Sequence, residues 1–315
     1  MLSRTANDLY WMSRYVERAE NMARILDVAW RMSLVPTTPE NANSEWSSAI
    51  TIAGGEELFR DRYETVNRDS VIDFIALDAD NPSSILTSLR AARENARAVR
   101  AAITTEMWES LNASWLEIRD MSRARLADLG HSRVFDWVKE RSHLFRGVAY
   151  GTMLRDDAFQ FTRLGSFIER ADATARILDV KYHILLPSPE AVGGATDYYQ
   201  WSALLRSVSA MRIYRRLYRD TIQPWQVAEL LTLRPEMPRS LNACLAEITT
   251  GLDQLAEAYG ARHECHRLAG EMHAGLRFGR IDDIIRQGLH EYLTRFLIAN
   301  NRLGAQLADD FLLTT

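Results

Sequence analysis

Residues 15–28 read YVERAENMARILDV, and residues 167–180 read FIERADATARILDV. From Glu17 to Val28 against Glu169 to Val180, nine of twelve positions are identical. Two apolar helices can pack without both keeping E-R-A and then A-R-I-L-D-V, so the recurrence bears on the fold and on the purpose of the charges. Around the first copy Tyr15, Ala19, Met22, Leu26 and Ala29 recur at helical steps, with Trp11 and Trp30 at the margins of the stripe. Ser3 or Thr5 is expected to cap this helix, and Pro36 and Pro39 to end it.

The recurrence extends beyond one helix. Trp46-Ser47 is matched by Trp201-Ser202, and VIDFIALDADNPSSI at 71–85 by VAELLTLRPEMPRSL at 227–241. Pro82 with Ser84, and Pro238 with Ser240, each read as a helix start with serine as the cap. Further helices are expected over 45–66, 70–78, 83–106, 108–129 and 133–155, after which the series restarts. The expected fold is all-α: a helical bundle of two tandem pseudo-symmetric repeats, 1–155 and 156–315, packed about a pseudo-twofold axis. Each repeat opens with a long helix carrying E-R. No Ser/Gly-rich linker separates the halves, so one domain spanning 1–315 is expected.

Composition is that of a globular protein, with 47% apolar and 25% charged residues. A net charge of −4 points away from nucleic acid. Lys139 and Lys181 are the only lysines among 38 basic residues, which fits genomic codon bias or a use for the bidentate guanidinium. Cys244 and Cys265 build neither a disulfide framework nor a zinc site. The start lacks a signal-peptide pattern, and no stretch reads as a membrane span, so a cytoplasmic protein is expected.

On a helix, Arg24 falls roughly 20° from Glu17, with Glu20, Asn21 and Arg14 within roughly 60°, forming a polar stripe opposite the apolar one. Glu169, Asp172 and Arg176 take the corresponding places in the second copy. Glu20–Arg24 and Asp172–Arg176 are acid-to-base pairs at i,i+4. Arg18 and Arg170 instead sit on the apolar edge, where each needs to snorkel or to find an acid on another helix. The readings left open are an ion-pair network joining the halves, a solvated charged face, and an anion or ligand site with acid/base groups. A di-metal carboxylate bundle is disfavoured, because no His stands three residues after Glu17 or Glu169.

Other clusters are weaker. In RAARENARAVR at 90–100, Arg93 and Arg97 form a like-charge pair, which makes them candidates to receive Glu17 or Glu169. His263, His266 and His273 share a helix face and could in principle hold a divalent ion, but surface histidines are the better expectation. RIYRRLYR at 212–219 interleaves Arg with Tyr, yet acids follow and a solvated or partner-facing helix is expected. No phosphate loop, nucleophile elbow or zinc-protease motif is present. No cofactor is expected.

Taken together, LSRTANDLYWMSRYVERAENMARILDV, SLRAARENARAVR, EMWESLN at 106–112 and LGSFIERADATARILDVKY at 164–182 resemble the bacterial Alpha-E family, an all-helical domain named for its Glu-Arg motif. The motif maps onto Glu17-Arg18 and Glu169-Arg170. Members are typically encoded beside, or fused to, a circularly permuted ATP-grasp ligase, often with a transglutaminase-like cysteine peptidase. The resemblance therefore implies partnership in a peptide or amide-bond synthesis system, with the domain leaning towards no activity of its own. The alternative is a helical amide hydrolase or transferase using Glu17 and Glu169 with Arg18 and Arg170. Self-association is left open.

Overall fold

The computed structural model describes residues 1–34, 43–184, 194–219 and 221–312. Among them every regular element is an α-helix. The first half forms α1 (Ser3–Ser33), α2 (Ser44–Ala53), α3 (Glu56–Arg62), α4 (Arg68–Ala76), α5 (Ile85–Ala98), α6 (Thr105–Arg119), α7 (Arg123–Leu129) and α8 (His131–Thr152). The second forms α9 (Asp157–Ile184), α10 (Ala195–Ser207), α11 (Met211–Tyr218), α12 (Pro224–Thr232), α13 (Leu241–Tyr259), α14 (Glu264–Arg277), α15 (Ile281–Gln287) and α16 (Leu289–Phe311). Long and short helices follow in the same order in both halves.

The first and ninth helices are the axis of the molecule. From Val16 to Ala29 every residue of α1 except Arg18 is buried, polar ones included, so both its stripes face protein. A helix covered all round belongs to the core. α1 packs on α9, α5 and α8; α9 packs on α13 and α16. The second helix of each half also lies against the first helix of the other, α2 on α9 and α10 on α1. The two helices come close at Gly165, where an added Cβ would stand 2.1 Å from the Tyr10 carbonyl oxygen and 2.8 Å from Ser13 Oγ.

Helix boundaries depart from the sequence expectation wherever a cap interrupts a helical period. The single helix expected over 45–66 is broken at Gly54 (φ +69°), whose N–H closes α2 onto the Ile50 and Thr51 carbonyls. The stretch 83–106 ends as helix at Ala98, and Thr104 caps α6 by accepting from the Met107 N–H. The stretch 108–129 divides at Ser122, which accepts from the Arg125 N–H and starts α7. Neither Ser3 nor Thr5 caps α1: the N-cap is Leu2, and no side chain bonds the first turn. Pro36 and Pro39 lie outside the described residues.

Ser84 and Ser240 do cap α5 and α13, accepting from the Thr87 N–H at 3.1 Å and the Ala243 N–H at 3.0 Å. Ser240→Ala is expected to cost about 1 kcal/mol in a urea melt, since it strips the part-buried Ala243 N–H of its acceptor. An unchanged midpoint would show that the loop before α13 needs no cap.

Candidate functional site

The two E-R dipeptides meet where α1 crosses α9, and each arginine takes the other dipeptide's glutamate. Arg18 Nε and Nη2 donate to Glu169 Oε1 and Oε2 at 2.6 and 3.1 Å. Arg170 Nε and Nη2 donate to Glu17 Oε1 and Oε2 at 3.0 and 2.9 Å. Both are bidentate forks, the geometry in which a guanidinium binds a carboxylate most specifically. The acids that Arg18 and Arg170 require on another helix are thus supplied by each other's motif. Arg14 adds a second donor to Glu169 at 2.8 Å, and its guanidinium lies over the Trp11 ring at 4.7 Å.

The second arginine of each copy reaches further. Arg24 bonds Glu20 at 2.9 Å and donates from Nη1 to the Ser207 carbonyl at the C-terminal end of α10. Arg176 bonds Asp172 at 2.6 Å and donates to the Ile52 carbonyl near the end of α2, at 3.5 Å. A cation at a helix C-terminus satisfies carbonyls that have no partner within their own helix. Each copy of the charged stretch therefore grips both the first and the second helix of the opposite half.

Two further arginines complete the cluster around Glu17 and Glu20. Arg146 of α8 donates to Glu17 Oε2 at 2.6 Å, to Glu20 and to Ser142 Oγ. Arg239, in the turn before α13, donates to Glu17 Oε1 at 3.1 Å, to Glu20 and to Asn21 Oδ1. Comparing the halves could not find them: Gly304 occupies the place in α16 that Arg146 holds in α8, and Ser83 precedes the Ser84 cap as Arg239 precedes Ser240. Arg93 and Arg97 do not belong to the site. Arg93 bonds Asn112 at 2.9 Å and Glu94 at 2.6 Å, and Arg97 stands exposed, 3.9 Å from Glu94. Asn112, Glu94 and the Trp108 ring satisfy Arg93, and Arg97 is exposed, so the pair needs no carboxylate from α1 or α9.

Two carboxylates, Glu17 and Glu20, here face four guanidiniums, and the two acids are 1% and 0% exposed. Burial alone would raise both carboxyls, but Arg170 and Arg146 hold Glu17 at about 2, and Arg239 and Arg146 hold Glu20 well below its usual range. Glu169 is held down in the same way by Arg14 and Arg18 against its own burial. The surplus positive charge falls on Arg239, which desolvation and neighbouring Arg24 pull down to about 10.

All three carboxyls titrate lower when folded than when unfolded, so the stability they contribute is present above pH 4.5 and is lost as pH falls below it, for Glu17 towards about 2. The urea midpoint is expected to hold steady above pH 4.5 and to fall steeply below it. A midpoint that is flat across that window would contradict the network's assigned charges.

The other clusters resolve into structural contacts. His266 is fixed at both ring nitrogens: Nδ1 accepts from the His263 N–H at 2.9 Å, which leaves Nε2–H to donate to the Leu252 carbonyl at 3.0 Å. His263 sets its ring edge-on against Phe311, and His273 bonds Thr249, so the three imidazoles do not converge. In RIYRRLYR, Tyr214 is buried and Tyr218 donates to Glu229 at 2.7 Å, while Arg212, Arg215 and Arg216 face solvent. The aromatics thus form no stacking platform. Among the described residues no helix is long and apolar enough to cross a membrane.

The model of the Alpha-E family, "a predicted alpha-helical domain with a conserved ER motif", matches residues 1–312. Among curated proteins the chain is similar to uncharacterised proteins of Mycobacterium bovis and Mycobacterium tuberculosis. Identity is 25% over 332 residues for the M. bovis protein and for one M. tuberculosis strain, and 24% for a second M. tuberculosis strain. Each alignment covers 97% of this chain and 36% of the relative, so the chain spans little more than a third of those proteins' length. No solved structure matches it.

Proposed function

The chain belongs to the Alpha-E family, and from that premise we propose that it is a non-catalytic helical partner of an ATP-grasp-type peptide or amide-bond ligase. The observation that carries this reading is the state of the E-R charges. Both glutamates accept from at least two guanidiniums, both are buried, and both are held in the ionised form. A general acid or base needs a proton near the working pH and reach to a substrate atom. Glu17 and Glu169 meet neither requirement, which weighs against the amide hydrolase or transferase alternative.

In this reading the motif builds a rigid scaffold, and other surfaces engage the ligase or an anionic substrate. The mycobacterial relatives support it in one respect: there the matching region is about a third of a longer protein, as expected of a module that works beside others. The two halves are then copies of one unit about a pseudo-twofold axis, a relation supported by their common helix order and reciprocal pairs. The reading sets the protein in the cytoplasm, where ATP is at hand, with a transglutaminase-like peptidase as a further partner.

Co-expression with a circularly permuted ATP-grasp ligase tests it. The expected result is a complex that co-purifies, and ADP release that changes several-fold when this protein is added. Absence of a complex together with unchanged turnover would defeat the proposal.

A further inference from the structure

Two valleys occupy matching places in the helix order, one between α6 and α8 and the other between α14 and α16. The first is closed by its own side chains. Trp137, seventh residue of α8, donates Nε1–H to Glu117, thirteenth residue of α6, at 2.8 Å. Arg141, eleventh in α8, stands 3.7 Å from the same carboxylate and 5.9 Å from the indole. This clasp leaves a hollow of about 190 Å³.

In the second valley those three places hold Arg295, Leu276 and Ala299. No clasp can form, and a cleft of about 490 Å³ opens. Its floor is Leu268, Leu276 and Phe296, its walls include Met272 and Tyr292, and Ile298 stands at the lip, 65% exposed. Arg295 and Arg302, seven residues apart on one face of α16, flank the apolar surface. Arg295 donates to Gln287, and Glu264, the acid that feels the charge of Arg302, already forks onto Arg267. Glu271 across the cleft is engaged by Arg267 at 2.9 Å. The valley runs beside α16 from Tyr292 to Arg302, about three helical turns.

We propose that this cleft is a docking groove for an amphipathic helix of a partner protein, with its apolar face between α14 and α16 and acidic residues about two turns apart set against Arg295 and Arg302. Shape, apolar lining and two exposed guanidiniums that form no carboxylate fork of their own select that occupant. An open apolar cleft between two helices takes a third helix, and guanidiniums two turns apart select carboxylates at the same spacing. The half that closes its own valley with tryptophan, glutamate and arginine shows the chemistry that fills such a space. This inference does not depend on the ligase reading.

The probe is a fluorescent amphipathic peptide of about five helical turns, with leucines at i, i+3, i+4 and i+7 and flanking glutamates, beside a counterpart with lysines in their place. Fluorescence polarisation with the full chain is expected to give saturable binding of the glutamate peptide only. Ala299→Trp, which fills the cleft, should weaken binding by about tenfold or more. Arg295→Glu with Arg302→Glu, both at exposed positions, should weaken it equally and shift preference to the lysine peptide, with the melting temperature unchanged. Lack of saturable binding by the intact chain, or undiminished binding by both variants, would overturn the assignment.

Discussion

Glu17→Gln is expected to destabilise the protein by about 4 kcal/mol, because it removes one member of a buried ionic cluster and leaves its partners uncompensated. Arg170, Arg146 and Arg239 all donate to this carboxylate. The neutral amide keeps the size of the side chain but not the charge, and one of its two acceptor oxygens becomes a donor facing guanidiniums. Removing both members of the fork, as in Glu17→Gln with Arg170→Met, should cost less than the sum of the single changes. A coupling of about 2 kcal/mol is expected from a double-mutant cycle by chemical denaturation. Simple additivity would mean that the fork contributes geometry without energy. A solvated pair offers no such effect: the exposed Arg267–Glu271 pair, changed in the same way, should stay within about 0.5 kcal/mol.

Gly165→Ala is expected to cost about 3 kcal/mol, although alanine is the better helix former. The added methyl would lie 2.1 Å from the Tyr10 carbonyl oxygen, which belongs to the backbone of α1 and cannot rotate away. Relief requires α1 and α9 to separate, and the forks at Glu17 and Glu169 lie on that same interface. Gly151→Ala is the control. It stands in α8 with open space around its Cβ, so alanine there should stabilise by about 0.5–1 kcal/mol. Equal effects at the two positions would show that helix propensity, and not the crossing, governs Gly165.

The all-helical class was legible because the apolar period is long and Gly and Pro are rare. Boundaries were less so: Gly54, Thr104 and Ser122 each stop or start a helix inside a stretch whose apolar period continues. The cross-pairing was half legible. The position of Arg18 and Arg170 on an apolar edge called for an acid from another helix, and the recurrence pointed to which helices mattered. Arg93 and Arg97 misled because a like-charge pair looks unsatisfied in one dimension, whereas Asn112 and Glu94 satisfy Arg93 in place and Arg97 is exposed. Arg146 and Arg239 left no trace in the comparison of halves, since each occurs in one half alone. Their role follows from the third dimension, where α8 and the turn before α13 converge on α1.

Because the fork runs from each E-R pair to the other, the two stretches are lock and key to one another in both directions. A charge altered at 17 unseats Arg170 along with Arg146 and Arg239, and one altered at 18 leaves Glu169 to Arg14 alone. Most pairs of similar segments in a chain are free to diverge once they exist. These two hold each other's opening letters: of the nine matches from Glu17 to Val28, the Glu and the Arg that begin them are each read by the other copy.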